Sequence, residues 1–176
     1  MTLTCTSASS PAPICPIGDG PARCEIGFRS PARCQRPAAT WERIGGYVRL
    51  MRRAGVESLV AKDCPEGLLG AFHEGRQVLL MCGNNLPDDP AYVWVVLAHE
   101  SAHVMQFCNG GPLMPAALLT QEMDRARRTS PDAFHELRLY HVSQHHVEVE
   151  ARLVQALPPD EVEALFHRHC GNRLER

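Results

Sequence analysis

No apolar run in this chain approaches the eighteen or so residues that a membrane-spanning helix requires, so no membrane span is expected. A strong charge of either sign is also missing. With 18 Lys and Arg against 20 Asp and Glu, the net charge is −2, which gives no electrostatic case for binding nucleic acid or an anionic membrane. Eight cysteines are present without a single Cys-x-x-Cys pair, which weakens a zinc-finger reading. The first residues lack a charged start followed by an apolar core, so they do not read as a secretory signal. On that basis the cysteines are expected as reduced thiols in a cytoplasmic protein.

Large apolar residues are scarce over residues 1–39, which are rich in Pro, Ser, Ala and Gly and carry Cys5, Cys15, Cys24 and Cys34. Pro21-Ala22-Arg23-Cys24 recurs as Pro31-Ala32-Arg33-Cys34. Such a stretch buries too little apolar surface to fold alone and is expected to be a disordered tail. Residues 40–176 then form one domain of ordinary size.

Within that domain, Thr40 to Ala54 has helical spacing through Trp41, Ile44, Tyr47, Val48 and Met51, and Gly55 stops it. Glu57 to Lys62 reads as a short strand. Leu68 to Phe72 and Arg76 to Cys82 are apolar runs joined by His73-Glu74-Gly75, which predicts a β-hairpin. Asp88 or Asp89 caps the next helix, Pro90 suits its first position, and Gly110-Gly111 ends it. Tyr92, Val93, Trp94, Val96, Leu97, Val104 and Met105 make that helix apolar on nearly every side, which predicts burial. A short helix near Leu118 to Arg128, a long one from Pro131 to Leu157 and a terminal one from Asp160 to Cys170 complete an α+β fold.

The buried helix carries His99-Glu100-Ser101-Ala102-His103, the HExxH pattern of zinc hydrolases. Residues i and i+4 of a helix are offset by about 40°, so His99 and His103 project from one face and can chelate one Zn²⁺ ion. Glu100 lies about 100° round, beside the ion rather than on it, where a carboxylate can take a proton from activated water. A catalytic zinc site takes three protein ligands and leaves one position open, so a third ligand is needed. Gln106 and Asn109 stand where the metzincin extension would have Gly and His. On the later helix, Glu148 and Glu150 lie 45 and 47 residues beyond His103. Glu150 falls near the apolar stripe of Val147, Ala151 and Val154, whereas Glu148 keeps company with His141, Gln144 and His145, so the residues alone leave both open. His141 and His145 are themselves an i, i+4 pair. His145 is also a candidate to support the transition state.

Glu148-Val149-Glu150-Ala151 resembles the Glu-x-x-Ala element that follows HExxH in gluzincins, including membrane-bound zinc peptidases and regulatory proteases of the ImmA/IrrE kind. Arg152 stands where the membrane-bound signature has Asp. The resemblance implies that Glu148 is the third zinc ligand. His99 to Gln106 followed by Cys108-Asn109-Gly110-Gly111 is also similar to small uncharacterised HExxH proteins of cyanobacteria. The combined expectation is a zincin-like domain, a small antiparallel sheet packed on the HExxH helix and a second glutamate-bearing helix. It would act as a zinc peptidase on a peptide or protein substrate, with His99, His103 and Glu148 on the metal and Glu100 as base. A non-catalytic zinc-binding regulatory module is the alternative. A third reading is a redox-responsive protein, because Cys64, Cys82 and Cys108 flank the predicted strands and helix.

Overall fold

A 20-residue helix, α2 (Pro90–Asn109), runs through the middle of the domain. Its ends are as the sequence predicts: the Asp89 side chain accepts a hydrogen bond from Ala91 N, Pro90 occupies the first turn, and Gly110 closes the helix in the left-handed region at φ 70°. A computed structural model describes residues 39–129 and 145–175, omitting the side chains of 123, 125–129 and 145. Residues 1–38 of the predicted tail, the stretch 130–144, with His141, and Arg176 fall outside the described residues.

Around α2 lie α1 (Trp41–Arg53), α3 (Ala116–Thr129), α4 (His145–Gln155) and α5 (Pro159–Leu174), with strands β1 (Glu57–Ala61), β2 (Gly70–His73) and β3 (Val78–Cys82). α2 packs against α1, β2, β3, α4 and α5, while α3 packs on α4 and β1 on β3 and α1. The order β1-β3-β2 makes the sheet mixed rather than antiparallel as expected. The predicted hairpin forms from β2 and β3 across a short 3-10 turn at Glu74–Arg76. β1 instead lies parallel to β3, because the connection from β1 carries the chain past β3 to form β2 on the far side before the hairpin returns it to the centre. β2 is therefore an edge strand.

Tyr47, Met51, Leu79, Leu97, Met105, Val162 and Phe166 are fully buried and join α1, β3, α2 and α5 in one core. Burying each such side chain contributes roughly 1.5–3 kcal/mol. The Tyr47 ring packs against Trp94 and Phe166, at centroid distances of 5.2 and 5.6 Å, while its hydroxyl donates to Ser101 Oγ at 2.9 Å. Ser101 in turn donates to Ala98 O, so the hydroxyl inside the HExxH sequence is used to fix α2 against α1. Burial, aided by the Glu163 carboxylate and opposed by the Ser101 hydrogen bond, pushes the Tyr47 phenol well above its usual range.

Cysteine pairing departs from the expectation of reduced thiols. Cys64 is bonded to Cys82 and Cys108 to Cys170, with Cα atoms 5.7 and 5.1 Å apart, so Cys64, Cys82 and Cys108 do not form a cluster of free thiols. The first bridge ties the loop that feeds β2 to the end of β3. Asn84 and Asn85 hold the same loop, bonding Cys64 N and O, Pro65 O and Leu68 O. The second bridge ties the end of α2 to α5. Among the described residues no helix is long and apolar enough to cross a membrane.

Candidate metal centre

The imidazoles of His99 and His103 lie one turn apart on α2 with centroids 5.2 Å apart, and the Glu148 carboxylate of α4 faces both. His99 Nε2 stands 3.5 Å from Glu148 Oε2, and His103 Nε2 stands 3.6 Å from Glu148 Oε1. One ligand atom from each of the three residues falls within 4.8 Å of the others. Among the described residues this is the one group of His, Cys, Asp and Glu so arranged. The structure thus brings together the three residues assigned to the metal from the sequence. His145 begins α4, but its side chain lies outside the described residues, so its suggested role is not placed.

Hydrogen bonding fixes which ring nitrogens face the centre. Gln106 Nε2 donates to Val147 O and to Glu150 Oε2, both at 2.9 Å, which uses the amide's two hydrogens and leaves only Gln106 Oε1 to face His103 Nδ1 at 2.9 Å. An amide oxygen only accepts, so the proton of the neutral ring sits on Nδ1 and the Nε2 lone pair points at Glu148. Gln155 Oε1, 2.8 Å from His99 Nδ1, does the same for the second ring. Burial keeps His103 below the usual imidazole range, although Gln106 and Glu148 pull the other way. Two lone pairs and a carboxylate that meet without a cation repel one another, and Glu148 Oε2 is buried with no hydrogen-bond partner. The donor set fits a small divalent ion with nitrogen and oxygen ligands, as zinc is.

In metal-free protein Glu148 is held below the usual carboxylate range: burial raises it, but the facing His99 and His103 rings, once protonated at Nε2, and Arg152 outweigh that effect. Glu100 behaves oppositely. Its side chain is buried and its pKa is pushed up to about 7, by burial first, with His99 lowering it and Glu148 raising it. The sign for stability follows from the raised value. In metal-free protein the folded state binds the proton more tightly than the unfolded state, so this contribution is complete below about pH 4.5 and is lost as pH rises through about 7. The loss is about 3 kcal/mol. Chelator-treated wild type is expected to lose that much more stability than Glu100→Gln across the window, measured by urea unfolding at each pH. Parallel curves for the two proteins would contradict it.

The backbone of β2 comes right against Glu100. A Cβ at Gly70 would lie 2.8 Å from Glu100 Cγ and 3.1 Å from Val96 Cγ1, so only glycine lets the strand approach this closely. Gly70→Ala is expected to displace Glu100 and, on the hydrolase reading proposed below, to lower turnover about 10- to 100-fold with metal content unchanged. Unaltered turnover would mean that the position of Glu100 does not matter.

Glu150, the competing acid, is fully buried and points away from the centre. Its oxygens accept from Leu113 N, Met114 N and Gln106 Nε2, each at 2.9 Å, which anchors the chain after α2 and locks the amide behind His103. His146 Nε2 stands 3.4 Å from it. Neither Gln106 nor Gln155 was assigned a role from sequence, although the spacing was suggestive. Gln106 follows His103 by three residues and Gln155 follows Glu148 by seven, so each shares a helix face with its ligand. Comparison with family models, with curated proteins and with solved structures finds no match for this chain.

Proposed function

We propose that the chain is a zinc-dependent hydrolase that cleaves polypeptides, built in a zincin-like way around α2. The carrying observation is the convergence of two Nε2 lone pairs and an unpartnered carboxylate oxygen on one point, with a separate buried carboxylate beside them. Zinc bound there would polarise a carbonyl and make water acidic enough to lose a proton near neutral pH. His99, His103 and Glu148 would hold it, and Gln155 and Gln106 keep the two rings turned correctly. Three ligands rather than four among the described residues suit a catalytic site better than a structural one. Glu100, buried beside the three ligands and not one of them, accepts the proton of the attacking water.

The two disulfides favour work in an oxidising compartment over the reducing cytosol expected from the sequence. To test the activity, protein stripped by a chelator is incubated with casein before and after addition of one equivalent of zinc. Fragments are expected only after reloading. No hydrolysis at any zinc loading would contradict the assignment.

A further inference from the structure

The three elements around the centre also form the walls of a groove that passes through it. On one side of His99 and Glu100 lies a cavity of about 700 Å³, bounded by Ala71 and Phe72 of β2, Gln106 and Phe107 of α2, and Val147 of α4. On the other side lies one of about 410 Å³, bounded by Leu68 and Leu69, by Tyr92 and Val95 of α2, and by Gln155 of α4. Gly70, His99 and Glu100 line both. The groove therefore continues past the centre in both directions along α2. From Tyr92 to Gly110 a helix rises about 27 Å, enough for about eight residues of extended chain, with about three on the Tyr92 side of His99.

One wall can bind backbone. Cys82 N donates to Leu69 O at 2.9 Å, and the β2–β3 register places Ala71 and His73 in the same hydrogen-bonded set. Gly70 and Phe72 consequently turn their N–H and C=O groups to the outer edge of β2, which no strand pairs among the described residues. The shorter arm is open and has one apolar border: Leu68, Tyr92 and Val95, three of the large hydrophobic side chains exposed on the described surface, line it opposite Arg152 and Gln155 of α4. An exposed apolar cluster beside an unpaired strand edge suits an extended polypeptide with an apolar side chain.

We infer that this groove takes the interior of an unfolded or extended polypeptide, about eight residues long, with an apolar residue on the Tyr92 side, so that bonds far from either chain end are presented to the centre. The inference rests on the hydrolase reading for the cleavage but not for the binding. It assigns no recognition to a free amino or carboxyl terminus.

The test uses full-length, zinc-loaded Glu100→Gln and fluorescent peptides of three to twelve residues with acetylated amino and amidated carboxyl ends. Binding is expected to tighten with length up to about eight residues, to be unaffected by freeing either end, and to weaken about tenfold in a Tyr92→Glu, Glu100→Gln double variant. Tyr92 is exposed, so that substitution leaves the fold in place. With Glu100 intact, Tyr92→Glu raises KM and leaves kcat unchanged. Equal affinity for three- and twelve-residue peptides, or dependence on a free end, would overturn the inference. If blocked peptides bind with the expected length dependence but wild type does not cut them, the groove stands and the hydrolase reading falls.

Discussion

On the proposed hydrolase reading, replacing Glu100 by Gln is expected to lower peptide hydrolysis by about 10²- to 10⁴-fold and to leave zinc content at one per chain. The substitution preserves size and removes only the ability to accept a proton. Glu100 is not among the three groups that converge on the centre, so metal affinity does not depend on it directly. Its tight contact with Gly70 means that the amide occupies the same place. Zinc analysis and single-turnover cleavage on the same samples separate the two effects. A loss of zinc in parallel with activity would make Glu100 a ligand, and equal turnover in variant and wild type would remove it from the chemistry.

The two glutamates of α4 are expected to fail in opposite ways. Glu150→Ala leaves Leu113 N, Met114 N and Gln106 Nε2 without their acceptor in a buried setting, and its cost is about 3–5 kcal/mol. Glu148→Ala removes a carboxylate whose buried Oε2 has no hydrogen-bond partner, so metal-free stability is expected to fall by only about 1 kcal/mol while zinc binding is lost. Urea unfolding in the presence of a chelator measures the first quantity free of metal linkage. A Glu150→Ala protein as stable as wild type would mean that the anchor after α2 is dispensable. A Glu148→Ala protein that still binds one zinc would move the third ligand elsewhere.

The contrast between these neighbours marks where sequence stops informing. α2 was legible throughout, because its cap, its Pro90, its closing Gly110 and its apolar character are local properties of the residues themselves. The paired imidazoles were legible for the same reason. Which acid of α4 faces them was not, since Glu148 and Glu150 lie about 200° apart on the helix and only its packing decides which side meets α2. The apolar stripe of Val147, Ala151 and Val154 did carry part of the answer: Ala151 and Val154 are buried, and Glu150 is buried beside them, whereas Val147 is half-buried and lines the site. Cys108 and Cys170 are 62 residues apart, and nothing in that spacing signals a bond. The parallel pairing of β1 with β3 likewise depends on where the chain returns, not on any strand's own pattern. Gln106 was read as the residue that breaks a longer histidine motif, yet its position behind His103 gives it a role that needs the Val147 carbonyl and Glu150 to be in place.

Zinc K-edge absorption on the purified, zinc-loaded protein tests the central claim most directly. One zinc per chain is expected, bound by two imidazole nitrogens and by oxygen at about 2.0–2.2 Å, with the imidazole scattering lost in His99→Ala, His103→Ala double variants. Sulfur scattering at about 2.3 Å, or a spectrum unchanged by removal of both histidines, would contradict it.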